Sequence, residues 1–248
     1  MPTLSIGPVL SQSVTVLKAN FLAFFLIGAL MSALSDITLM LLGLSALVDG
    51  VSTPQEIMAD TGGALPVLGA ILVSVLPFYA FGLGTIGYGA IRFMHGNPAT
   101  VGECLMRGVR SLPALLIVAL VSWVGVTVGM ALFIIPGIIL LTLWYLPIQV
   151  VMVEGLGVFH SLYRSAVLTK GQRFTLFGLL VVLLGISLLI GLIVGIAILP
   201  LSLIGLDMVA NMVVSGILTA FTAVVAAVVY TTLREEKDGL RRGDLANV

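Results

Sequence analysis

The sequence predicts an all-α, polytopic integral membrane protein with six transmembrane helices. Three observations predict it. Of 248 residues, 60% are hydrophobic and only 9% are charged, whereas a soluble domain carries roughly 25% charged residues. Apolar runs of about 20 residues, the length that crosses a hydrocarbon core of about 30 Å, recur along the chain. All 11 Lys and Arg residues fall in alternate segments between those runs. A soluble fold of this composition would expose large apolar patches and aggregate. Lipid as solvent removes that conflict.

The first predicted span covers residues 21–48 and the second 64–93. The third covers 112–135, and a break at Pro136-Gly137 precedes a short fourth span, 136–153. The fifth covers 174–199 and the sixth 206–233. Residues 1–233 thus read as one six-helix domain, with 234–248 a short charged tail. The start of the chain lacks the basic, briefly apolar pattern of a cleavable signal, and span one is expected to serve as the insertion signal.

Prolines mark the joints. Pro66 and Pro113 are expected in first turns, where a missing N–H costs nothing. Pro136 and Pro200 are expected at turns between spans. Pro77 and Pro147 lie inside predicted spans and imply kinks there.

Charge gives the orientation. The segment between spans one and two holds Asp49, Glu56 and Asp60 without Lys or Arg, and the turn between five and six holds only Asp207. Every cation lies on the other set: Lys18, Arg92, Arg107, Arg110, Arg164, Lys170, Arg173, Arg234, Lys237, Arg241 and Arg242. The positive-inside rule places that side, and with it both termini, in the cytoplasm.

Three of the basic segments look alike, each a short amphipathic helix ahead of a hairpin of spans. The first is 8–19, with Leu10, Val14 and Leu17 on one face and Gln12, Thr15 and Lys18 on another. The second opens on Thr100-x-x-Glu103, a capping box, and runs through Arg107 and Arg110. The third is 158–169, with Phe159, Leu162 and Ala166 on one side, His160 and Arg164 on the other, and Gly171 as a cap. These helices either lie flat in the membrane interface or pack on the bundle ends.

The middle of the chain carries a resemblance. Pro136-Gly137-Ile138-Ile139-Leu140, Pro147, Val153-Glu154-Gly155 and Arg164-Ser165-x-x-Leu168-Thr169-x-Gly171 occur in that order. This resembles the membrane domain fused to some bacterial glycerophosphodiester phosphodiesterases, and stand-alone bacterial inner-membrane proteins of the YciC-like kind. The resemblance implies six helices in a bacterial inner membrane. The phosphodiesterase chemistry belongs to a separate metal-binding soluble domain, and nothing here could supply it, so that activity is not carried over.

Residues with chemical potential are few. Two His and one Cys are too few for a His/Cys metal cage, and no Ser/His/Asp set or cofactor motif is present. Gly82-x-Gly84-x-x-Gly87 matches a dinucleotide fingerprint by letter, but it sits in an apolar helix, where close packing explains it better. Gly125-x-x-x-Gly129 and Gly191-x-x-x-Gly195 read as close-approach faces, expected to pack within the chain. Cys104 reads as apolar filler, with palmitoylation as the alternative.

Asp36, Gln149 and Asn211 are polar residues at membrane depth. Asp36 reads either as an ion or proton site or as a headgroup-level residue where span one ends, and its neighbours Ser35 and Thr38 favour the second. Gln149 and Asn211 are expected to bond between helices. Glu154 is expected to pair with Arg164 or Arg173 and pin the third surface helix to the bundle. Pro136, Gly137, Pro147, Ser165 and Gly171 are expected to be structural.

The sequence therefore favours a non-enzymatic membrane module without a cofactor. Its basic face, Lys18, Arg107, Arg110, Arg164, Lys170 and Arg173, would contact anionic phospholipid headgroups or a partner. A small transporter or channel is the alternative. The mixed-charge tail does not suggest nucleic acid, and a protein partner or homo-oligomer is left open.

Overall fold

The computed structural model describes residues 4–44, 59, 62–202 and 207–239. Every regular element among them is helical: α1 (Ile6–Ala19), α2 (Phe21–Leu41), α3 (Ala64–Ala70), a π turn (Ile71–Val75), α4 (Leu76–Met94), α5 (Val101–Leu132), α6 (Ile134–Leu143), α7 (Pro147–Glu154), α8 (Val158–Leu168), α9 (Arg173–Ser202) and α10 (Asp207–Asp238). Six stretches are long and apolar enough to cross a membrane: 21–41, 66–94, 101–132, 134–154, 173–194 and 209–238.

The last helix forms the centre. Ala223 to Tyr230 are buried at every position, so α10 is apolar all round and enclosed by its neighbours. It packs on α2, α4, α1 and α9. Glycine sets the closest approach: a Cβ on Gly28 would lie 2.5 Å from the Gly216 carbonyl oxygen, and one on Gly216 would lie 2.8 Å from the Ala29 nitrogen. Backbones in such contact gain dispersion and weak Cα–H···O contacts that a side chain would block.

The glycine run on α4 works the same way. Gly82 faces Met31, Gly84 faces Met152, Gly87 faces Gln149, and Gly89 faces Cys104 and Phe24. Gly125 and Gly129 of α5 likewise pack within the chain, against Trp144 and Gly137. Gly191 does not: nothing lies within 4 Å of the Cβ it lacks, because α9 exposes most of its flank. Gly195 lies outside the described side chains.

Several boundaries move from the sequence reading. Helix α2 ends at Leu41, and 45–48 lie outside the described residues. The second surface helix and span three are one helix of 32 residues. Pro113 therefore lies inside that helix, not in a first turn. The capping box does start it: Thr100 Oγ1 accepts from the Glu103 amide (3.3 Å), and the Thr100 amide donates to Glu103 Oε2 (2.7 Å).

The α5–α6 junction falls at Phe133, whose extended backbone (φ −154°) breaks the helix. Pro136 and Gly137 sit in the first turn of α6. Gly137 is there because a Cβ would meet Met130 Cγ at 2.5 Å. Pro200 lies in the last turn of α9 and not beyond it, and α10 runs to Asp238, past the expected end at 233. At Pro77, which has no N–H to offer the Val73 carbonyl, the π turn over Ile71–Val75 absorbs the defect.

The short helices pack on the bundle end, with faces shifted from those expected. In α1 the buried residues are Val9, Ser13 and Val16, while Val14 is exposed. In α8 they are Ser161, Leu162, Ser165 and Leu168, while Phe159 is exposed. Small hydroxyl residues let these helices sit close to the bundle, and that closeness decides the inward face more than the apolar stripe does.

The glycine contacts yield a contrast. Gly28→Leu should lower the thermal midpoint of the detergent-purified protein by the cost of overpacking, about 1–3 kcal/mol. Gly191→Leu should change stability by less than about 0.5 kcal/mol. Equal losses would show that α2 and α10 do not meet as described.

Candidate functional site

Span four is broken, and the break organises the basic end of the molecule. Helix α6 stops at Leu143 and α7 begins at Pro147. Pro147 has no N–H for the Leu143 carbonyl four residues back. Ser165 of α8 fills that role: its Oγ donates to the Leu143 carbonyl (2.7 Å) and accepts from the Leu146 amide (3.2 Å). One hydroxyl thus partners two of the backbone groups at the break, in a place where water is scarce.

Glu154, at the end of α7, is the hub of a polar network. Arg164 Nε donates to its two carboxylate oxygens at 3.3 and 3.2 Å. The Tyr230 hydroxyl donates to Glu154 Oε1 at 2.8 Å. Arg164 also bonds Asp238. Arg234 Nε lies 3.9 Å from Glu154 and 3.6 Å from Asp238. It has no hydrogen-bond partner, so its attraction there is Coulombic. Burial opposes the charge on Arg164, but Asp238 and Glu154 more than offset it and raise its pKa above the usual arginine value. The expected Glu154–Arg164 pair is present. Arg173 is not part of it.

Arg107 is also engaged. Its Nε donates to the Met152 carbonyl (2.9 Å), and its guanidinium lies 6.0 Å from the Tyr88 ring, as does that of Arg92. It satisfies a last-turn carbonyl of α7, which Gly155 then ends with φ +65°. Gly171, at φ +89°, turns the chain after α8.

Of the six cations expected to meet headgroups, four are left. Lys18, Arg110, Lys170 and Arg173 are exposed, and among the described residues none has a recorded hydrogen bond or ion pair. Exposed aromatics accompany them on the third segment: Phe159 (77%), Tyr163 (73%) and Phe174 (94%). Phe174 also lines an apolar groove of about 380 Å³ between α6 and α9, with Arg173, Phe177, Ile138, Ile139 and Thr142.

The three polar span residues are not brought together. Asp36 is half-buried and lines a cavity of about 230 Å³ with Ser32, Ser35, Tyr79, Ser215 and Thr219. Helix α2 continues five residues beyond it, to Leu41. Gln149 is 1% exposed, packs on Gly87, and its amide has no hydrogen-bond partner. Asn211 is half-buried and lines no part of the Asp36 cavity. The expected interhelical bonds of Gln149 and Asn211 are not formed.

Cys104 is buried beneath Gly89 and Phe24. Among the described residues no three His, Cys, Asp or Glu gather as a metal site. The sequence does not foretell Tyr230, Arg234 and Asp238 in the Glu154 network, nor Ser215 and Thr219 beside Asp36. The single visible signal was Ser and Thr at one-turn spacing in otherwise apolar helices.

The family described as a domain of unknown function, DUF7847, matches residues 81–235, more than half of the chain. The chain belongs to that family. No curated protein and no solved structure matches it. The DUF7847 match runs from α4 through most of α10, so it includes the broken span, Ser165 and the Glu154 hub.

Ser165→Ala would orphan the Leu143 carbonyl and the Leu146 amide, at a cost of about 1–3 kcal/mol in unfolding free energy. Pro147→Ala returns an N–H four residues after Leu143. In that background Ser165→Ala should cost measurably less, and strictly additive losses would contradict the substitution of one group for the other.

Proposed function

We propose that the chain is a non-enzymatic module of a bacterial inner membrane whose basic end faces the cytoplasm and holds anionic phospholipid headgroups. One observation carries this reading: Lys18, Arg110, Lys170 and Arg173 are exposed and unpaired on the same set of segments as the aromatics Phe159, Tyr163 and Phe174. Aromatic rings favour the headgroup level, and each Lys or Arg near an anionic leaflet contributes about 1 kcal/mol. Arg107 and Arg164, also candidates by sequence, are engaged within the protein, which narrows the lipid contact to the other four.

The threefold plan supports the same reading. A short helix precedes each hairpin: α1 before α2–α4, the first turns of α5 before α5–α7, and α8 before α9–α10. Each brings at least one unpaired cation to the basic end. The resemblance to phosphodiesterase membrane domains and YciC-like proteins fits an inner-membrane location. A transporter is less well supported, because Asp36, Gln149 and Asn211 do not share one cavity.

Native mass spectrometry of the purified full-length protein should show retained anionic phospholipid. The combined Lys18→Gln, Arg110→Gln, Lys170→Gln, Arg173→Gln variant should lose most of it while remaining folded. Detergent-bound wild type without phospholipid, or undiminished retention by the variant, would overturn the reading. Reporter fusions within 49–60 and at 96–100 should report opposite sides of the membrane.

A further inference from the structure

The cavity around Asp36 is a feature that lipid binding leaves unused. It lies between α2, α4 and α10, and Val75, the last residue of the π turn, contributes to its wall. Single π turns within helices are frequent at functional sites. The Asp36 carboxylate has no recorded hydrogen bond or ion pair among the described residues, and neither do the hydroxyls of Ser32, Ser35, Ser215 and Thr219. Several other Ser and Thr hydroxyls fold back on their own helix, as Thr38, Thr85, Thr222 and Thr231 do, although the buried Ser122 hydroxyl has no partner. What sets this place apart is that four such hydroxyls line one cavity with a carboxylate.

The chain has no cation to offer Asp36. No Lys or Arg occurs between Lys18 and Arg92, or between Arg173 and Arg234, and the two His are at 95 and 160. A carboxylate within a span costs about 2.5–3.5 kcal/mol on insertion scales unless something neutralises it. The segment that joins α2 to α3 carries Asp49, Glu56 and Asp60, and α10 opens on Asp207, again without a cation nearby in sequence. An acidic end of that kind concentrates cations from solution.

We propose that this cavity binds one monovalent metal cation, held by the Asp36 carboxylate and the hydroxyls of Ser32, Ser35, Ser215 and Thr219. Hard cations take oxygen ligands, and this lining supplies oxygen without nitrogen or thiol. A single carboxylate balances a single positive charge, so a monovalent ion leaves the site neutral, whereas a divalent ion would leave it positive. At about 30 Å³ per water, the cavity also admits several waters to complete the coordination.

The test is the thermal unfolding of the purified full-length protein in sodium, potassium or choline chloride at equal ionic strength. A saturable rise in midpoint with sodium or potassium over choline is expected. Asp36→Asn should abolish that rise, and Ser215→Ala should raise the apparent Kd several-fold while the fold persists in choline. Identical midpoints in all three salts would mean that a proton neutralises Asp36, and the proposal fails. An Asp36→Asn protein that still responds as wild type does would place the ion elsewhere and overturn it equally. If Asp36→Asn does not fold, a wild-type response left unaltered by Ser215→Ala and Ser32→Ala together decides against the site.

Discussion

In lipid, apolar surface gains little by turning inward, so this bundle depends on how closely its backbones approach. The contact between Gly28 and Gly216 sets that distance for α2 against α10. With α2 that near, a run of Ala and Val from Ala223 to Val229 is enough to fill the centre. Longer side chains there would force the helices apart and lose the contacts on which packing in a membrane rests. The glycines of α4 extend the same close fit to α7 and α5, and α9, without such a partner for Gly191, stays at the periphery.

Close packing in turn makes a broken helix tolerable. The Leu143–Pro147 gap would strand two backbone groups in a poorly hydrated place, and Ser165 reaches both because α8 folds back along α7. Glu154 then fastens that return to α10 through Arg164 and Tyr230. A hydroxyl bonded at both ends and a carboxylate shared by three partners hold α8 in a single position. The cations of the third basic segment, Lys170 and Arg173, follow from that placement, since they flank the turn at Gly171 that leads out of α8.

Much of this was legible in sequence. The six spans follow from length and apolarity, which depend on composition over some twenty residues and tolerate local error. The Thr100–Glu103 box and the Glu154–Arg164 pair were legible because their partners are near in sequence. Helix ends were less so: Pro113 reads as a start, yet α5 begins twelve residues earlier because nothing between the surface helix and the span breaks it. The inward faces of α1 and α8 were misread because the apolar stripe is a weak guide where Ser13 and Ser165 win the close positions. Tyr230, Arg234 and Asp238 could not be tied to Glu154 by pattern, since some eighty residues separate them. Ser35 was legible beside Asp36, but Ser215 and Thr219 were not, for the same reason, as they come from α10.

The distribution of charge links the two ends of the molecule. Keeping every Lys and Arg on one set of segments is what orients such a chain in a membrane. That same restriction denies Asp36 any basic partner of its own, because a Lys placed near it would lie toward the opposite face and weaken the orienting bias. The proposed cation would supply the charge that the chain withholds there. At the basic end internal acids engage Arg164 and Arg234, and Lys18, Arg110, Lys170 and Arg173 are left exposed. Packing thus engages Glu154, Arg164 and Ser165 within the fold, and leaves a cavity with one carboxylate at one place and a surface with exposed cations at another.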